Sequence, residues 1–146
     1  MTGSELIEII VKFVNENVLD TNGNKLIPEI IYENKIPTKN PVLIIKYPTI
    51  NMTWEGNIIH ETWNFELYLV SPVTLNVDTI YKKLEPVLDE LISKIKSNPE
   101  LGDAKDIYLC DINERIEPGS LTYIVNKTNY DFAGFKFGLT IYNWEV

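Results

Sequence analysis

One stretch constrains the fold of this chain more than any other, the thirteen residues from Ile58 to Val70. Glu61, Trp63, Phe65, Leu67 and Leu69 fall on one side of it. His60, Thr62, Asn64, Glu66, Tyr68 and Val70 fall on the other. Alternation with a period of two marks an extended strand, because successive side chains leave a pleated backbone on opposite faces. The run therefore predicts an antiparallel strand, long for its kind, with one face packed and the other half-solvated. Ser71-Pro72 ends it.

Two segments change the period to that of a helix. Over residues 4–18, Leu6, Ile9, Ile10, Phe13 and Val14, with Asn17, share one face. Ser4 stands where an N-cap belongs, and Glu5 and Glu8 suit the positive end of the helix dipole. The turn-rich Asp20-Thr-Asn-Gly-Asn24 closes this helix. Over 76–97, Ile80, Leu84, Val87, Leu88, Leu91, Ile92 and Ile95 form a buried stripe, and Lys82, Lys83, Asp89, Glu90, Lys94 and Lys96 a wet face. Asn76 or Asp78 caps the start, and Asn98-Pro99 terminates. Pro86 inside the pattern predicts a kink or a split into two helices.

The remaining segments read as strands and loops. Leu26 to Glu33 is a short strand with Pro28 at its start or on an edge. Val42 to Tyr47 is apolar on both faces, as a central strand is, and Pro48 closes it. Thr49 to Asn57, with Met52, Trp54 and Gly56, reads as a hairpin loop. Three strands finish the chain: 106–113, 121–127 after the turn Glu117-Pro-Gly-Ser120, and 130–144. The last carries Phe135, Phe137, Leu139 and Ile141 on one face. On its other face Gly134 and Gly138 point to a bulge or a close approach. Neither a repeat nor a linker interrupts the 146 residues. The expectation is a single α+β domain in the order α-β-β-β-α-β-β-β, with helices on one face of a mainly antiparallel sheet.

Charge and composition exclude more than they identify. The net charge is −8, with 9 acids against 5 bases in the first 73 residues and 12 against 8 in the last 73. No basic cluster exists to grip nucleic acid phosphates. Arg115 is the sole arginine, so a guanidinium clamp on an anion is nearly ruled out. His60 and Cys110 are the single histidine and cysteine. His60 reads as a solvated strand residue and Cys110 as a small buried hydrophobe that cannot form an internal disulfide. Phosphate-binding glycine loops and nucleophile elbows are missing. The sequence thus predicts no catalytic residue, metal site or cofactor. Glu5 and Glu8 break the first apolar run, which predicts no signal peptide, and no span suits a membrane.

Large apolar residues in loops and near the terminus are the informative oddity, since such residues either anchor partners or fold back onto the domain's own core. Met52, Trp54 and Trp144 are the candidates. Lys39 and Asn40 in the 34–41 loop and Arg115 and Glu117 near the late turn join them as interface expectations. Long strands also leave sheet edges that a ring of identical subunits would cover.

The layout as a whole resembles a known family. An N-terminal helix precedes Lys39-Asn-Pro-Val-Leu-Ile-Ile-Lys-Tyr47. The alternating Glu61-Thr-Trp-Asn-Phe-Glu-Leu-Tyr-Leu-Val-Ser71 follows, then a long helix and strands ending in Phe135-Lys-Phe-Gly-Leu-Thr-Ile-Tyr142. This resembles the tail terminator (tail completion) proteins of long-tailed phages and phage-like particles, over essentially the whole chain. The resemblance implies a non-enzymatic structural protein of the virion tail, made in the bacterial cytoplasm. It implies a ring, usually a hexamer, that caps the tail tube, stops its polymerisation and receives the neck or head connector. Contractile tails add a contact with the sheath. DNA would pass through the lumen unbound. The alternatives are another neck or head-completion component, or a small-molecule binding module or enzyme.

Overall fold

The computed structural model describes residues 2–32, 35–73, 76–98, 100–101, 107–125 and 127–145. For 110–113, 122–125, 130 and 143–145 it describes only the backbone. Two helices, α1 (Gly3–Asn17) and α2 (Val77–Ser97), pack on a sheet of seven strands. The strands are β1 (Glu29–Ile31), β2 (Val42–Ile45), β3 (Thr49–Glu55), β4 (Ile58–Pro72), β5 (Ile107–Ile116), β6 (Thr122–Val125) and β7 (Thr128–Glu145). The α+β class holds, with both helices on one face. The order gains a strand, because Thr49–Glu55 is β3 and not a loop.

The alternating run is the spine of the sheet. The strands lie in the order β1-β2-β4-β7-β5, with β3 on the outer part of β4 and β6 on the start of β7. Among the described residues only β1 and β2 run parallel; the other pairs are antiparallel. The β4–β7 ladder is the longest, from Ile59 opposite Glu145 to Pro72 opposite Phe132.

Both helix starts follow from capping chemistry. Thr2, not Ser4, caps α1. Its hydroxyl accepts from the Glu5 N–H at 3.2 Å, while the Glu5 carboxylate accepts from the Thr2 N–H at 3.1 Å. This reciprocal box needs an acid three residues after the cap. Thr2 has Glu5 there, whereas Ser4 has Ile7. The Asn76 side chain caps α2 by accepting from the Asp78 N–H. Pro86 does not split α2. It lies on the exposed side, where the carbonyl its missing N–H would have bonded can turn to water.

Leu6, Ile10, Phe13 and Val14 of α1 and Tyr81, Leu84, Leu88 and Leu91 of α2 meet Trp63, Phe65, Leu67 and Leu69 of β4 and Phe135, Phe137, Leu139 and Ile141 of β7. A smaller cluster lies across the sheet, where Ile31, Val42, Ile44, Tyr68, Val70, Ile116 and Phe132 pack together with Leu121. β4 is therefore buried on both faces from Leu67 to Val70, not half-solvated along its whole length. Gly134 makes the β4–β7 contact possible. A Cβ there would stand 2.1 Å from the Leu69 carbonyl oxygen. The irregularity expected near these glycines falls on the partner strand, where β5 shifts register between Cys110 and Glu114.

β2 and β3 follow one another along the same side of β4. Ile45 stands opposite Leu67 and Thr49 opposite Asn64, so this side spends one residue more than β4 over the interval. That is a bulge, centred on Lys46–Pro48. The Lys46 N–H keeps a ladder bond to the Glu66 carbonyl, and buried Pro48 supplies none. Before the bulge, odd-numbered Leu43 and Ile45 face the helices. After it, even-numbered Ile50, Met52 and Trp54 share the face of Trp63, Glu61 and Ile59.

Candidate functional site: a projecting amphipathic arm

At the level of Ile50, four strands stand side by side: Ile50 of β3, Trp63 of β4, Ile141 of β7 and Ile107 of β5. Beyond that row, among the described residues, β3, β4 and β7 continue as a three-stranded arm. Glu55 and Ile58 flank a two-residue turn, Gly56–Asn57. Gly56 has φ +62°, while Asn57 needs no positive φ. Glycine first with positive φ is the signature of a type II′ turn, whose twist matches that of the strands it joins.

The two faces of the arm differ in chemistry. Ile50, Met52 and Trp54 line one face, at 41%, 53% and 68% exposure, with half-buried Ile59 beside them. At its base the buried Trp63 indole donates to the buried Glu61 carboxylate at 3.2 Å. The opposite face carries Thr49, Asn51, Thr53, Thr62 and Asn64, with the Thr140 hydroxyl donating to Asn64 at 3.1 Å. Tyr108, 61% exposed, meets Tyr142 edge-on, 5.3 Å between ring centres. At the tip His60 Nε2 lies 3.4 Å from the Glu55 carboxylate.

The expected interface residues divide between the two ends of the sheet. Met52 and Trp54 stand on the arm, on a strand and not in a loop. Trp144 belongs to the arm by register, opposite His60, and its side chain lies outside the described ones. Lys39, Asn40, Arg115 and Glu117 lie at the far end, and the fold already uses several of them. Asn40 accepts from the Ser71 hydroxyl. Arg115 is on β5, its guanidinium 4.9 Å from the Tyr81 ring centre. The Tyr81 hydroxyl donates to the Ile116 carbonyl at 2.8 Å and lies 3.3 Å from the Glu117 carboxylate. These contacts tie α2 to β5.

Sequence reasoning missed β3 and the Tyr108–Tyr142 pair. For β3 the signal was present: Thr49-Ile-Asn-Met-Thr-Trp-Glu55 alternates strictly, and Gly-Asn is a hairpin turn pair.

A cleft of about 360 Å³ on the face away from the helices has Lys46, Tyr68, Glu114 and Lys136 in its lining. Glu66 binds its charges together. It accepts from the Tyr68 hydroxyl at 2.7 Å and lies 3.7 Å from each of the Lys46 and Lys136 ammonium groups. The Tyr68 hydrogen bond holds the Glu66 carboxyl below its ordinary value, against an upward push from burial and with help from Lys136 and Lys46. Burial, with the Glu66 charge, pushes the Tyr68 hydroxyl above the usual tyrosine range. Glu29 is also lowered. Burial would raise it, but hydrogen bonds from the Thr38 hydroxyl and backbone and the Lys39 backbone, with the Lys35 charge, outweigh that.

Among the described residues no group of three or more histidine, cysteine or acidic side chains is placed to hold a metal ion. No described helix is long and apolar enough to cross a membrane. No protein-family model and no curated protein matches the chain.

Proposed function

We propose that this chain is a structural subunit that resembles the tail terminators of long-tailed phages and phage-like particles. In this reading it forms a hexameric ring on the last ring of tail-tube subunits, stops their polymerisation, offers a docking surface to the neck or head connector and, in contractile tails, also contacts the sheath. It catalyses nothing and carries no cofactor.

The projecting arm carries the reading. Its edge strand is exposed at every residue and presents Ile50, Met52 and Trp54 on one face. An exposed apolar stripe of this kind is what an assembling subunit presents to its neighbours. The strand directions add support. β3, β4, β7 and β5 alternate in direction where they stand side by side. The β3 edge of one copy laid beside the β5 edge of the next would therefore run antiparallel, and an even number of strands per copy keeps that true around a ring. An evenly spread −8 charge suits a lumen that DNA crosses without adhering.

The test is co-assembly with tail tubes followed by electron microscopy. A six-fold ring at the tube end is expected, and Trp54→Ala should weaken the ring while the melting temperature holds. Density for this chain at the portal would assign it to another neck component. A tube end without it in the assembled particle would end the reading.

A further inference from the structure

β3 lacks the devices that shield a free strand edge from association. Thr49–Glu55 contains no Lys and no Pro, carries one charge, and keeps an unbroken register with β4. Among the described residues β3 pairs with β4 alone, so its outer side is open. The hairpin decides which backbone groups face outward. Glu55 and Ile58, flanking a two-residue turn, form the hydrogen-bonded pair beside it. Every second residue from there (Thr53, Asn51, Thr49) bonds toward β4. Ile50, Met52 and Trp54 therefore turn their N–H and C=O groups outward.

We propose that the free chain forms a two-fold dimer through this edge, with β3 paired antiparallel to β3 of a second copy and Met52 opposite the partner's Met52. Self-complementarity commits the edge to this occupant. In that register Ile50 faces the partner's Trp54, Asn51 faces the partner's Thr53, and Thr49 faces the partner's Glu55. Apolar residues meet apolar ones on one face, polar residues meet polar ones on the other, and the acids do not face each other. The outward-turned groups of Ile50, Met52 and Trp54 meet outward-turned groups of the partner, as a hydrogen-bonded ladder requires. A one-residue slip would set apolar against polar on both faces. A two-residue slip would leave two residues of each strand unpaired. The dimer joins both sheets through β7-β4-β3 and its mirror order, and merges the two apolar stripes.

The inference does not rest on the ring. A two-fold contact closes on itself, whereas a ring needs two different surfaces on each subunit. The dimer is the state of the free chain in solution, with the open edge covered.

The decisive experiment uses the register. In a Cys110→Ala background, Met52→Cys places two thiols on facing residues, whose Cα atoms in a hydrogen-bonded pair are ~5.5 Å apart, within the span of a disulfide. Ile50→Cys and Trp54→Cys each stand roughly 13 Å along the strand from their own copies. Sedimentation velocity should give twice the chain mass, and mild oxidation should cross-link Met52→Cys far faster than either neighbour. Met52→Lys and Met52→Glu should each be folded by circular dichroism and monomeric, and mixing them should restore a dimer. A chain that stays monomeric at high concentration, equal cross-linking at the three positions, or a mixture that stays monomeric overturns the proposal. Each of these results leaves a ring on the tube end untouched.

Discussion

β4 runs through two environments. From Phe65 inward it lies under both helices on one face and, from Tyr68, against a second apolar cluster on the other. From Ile58 to Thr62 it belongs to an arm that neither α1 nor α2 buries along with it, and its partner β3 is exposed throughout. Both halves alternate, yet one is core and the other surface. Alternation fixes which residues share a face; what lies over that face depends on how far the helices reach. Stability should therefore reside in the inner half and association in the outer half.

The sharpest way to break this contrast is Phe65→Ala. Phe65 is 2% exposed, and the cavity should cost ~3–5 kcal/mol by urea denaturation. Gly134→Ala comes next. The new methyl would collide with the Leu69 backbone, and forcing the strands apart should cost ~1–3 kcal/mol or more, read as a lower urea midpoint. Tyr81→Phe removes the hydroxyl that satisfies the buried Ile116 carbonyl and should cost ~1 kcal/mol, with the melting temperature as readout. The acid limb is smaller. Glu66 and Glu29 are held below their ordinary 4.5, so folding favours their ionised forms. That contribution is complete above 4.5 and is lost as pH falls through the lower folded values. Stability measured in acid should fall in that window, less steeply for Glu66→Gln. Smallest for stability is Trp54→Ala, expected within ~0.5 kcal/mol of the parent. A large loss there would show that the arm is part of the core.

The sequence made the inner half legible for a physical reason. Packing the helices on one face of the sheet imposes period two on β4 and β7 and a helical period on α1 and α2, and residues such as Phe65, Phe137 and Leu88 carry those periods openly. β3 alternates as clearly, but Pro48 and Gly56 bracket it with turn chemistry, and no buried residue reinforces the pattern. Pro48 marks a bulge and Gly56 a tight hairpin, so both are punctuation within a sheet. Among the described residues of the expected 26–33 strand, only Glu29–Ile31 form β1, in step with the short β2 it pairs with, and Glu33 lies outside the described residues. Of the site, Met52 and Trp54 were recognisable as large apolar residues outside the core, and both are exposed. The placement of Arg115, Glu117, Lys39 and Asn40 at the far end was not, since distance along a sheet depends on pairing and not on residue type.

The bulge at Lys46–Pro48 gives the arm an unusual mutational geometry. Its extra residue, which has no partner on β4, is what lets odd-numbered residues of β2 and even-numbered residues of β3 share one face. Removing one residue between Ile45 and Thr49 would straighten this edge into a regular ladder, while the Gly56–Asn57 hairpin would keep Ile50 opposite Trp63 and the apolar stripe on its present side. A change of one residue in length between β2 and β3 would thus alter the bend at which the arm leaves the sheet and not the side to which it turns, because the hairpin alone sets that side.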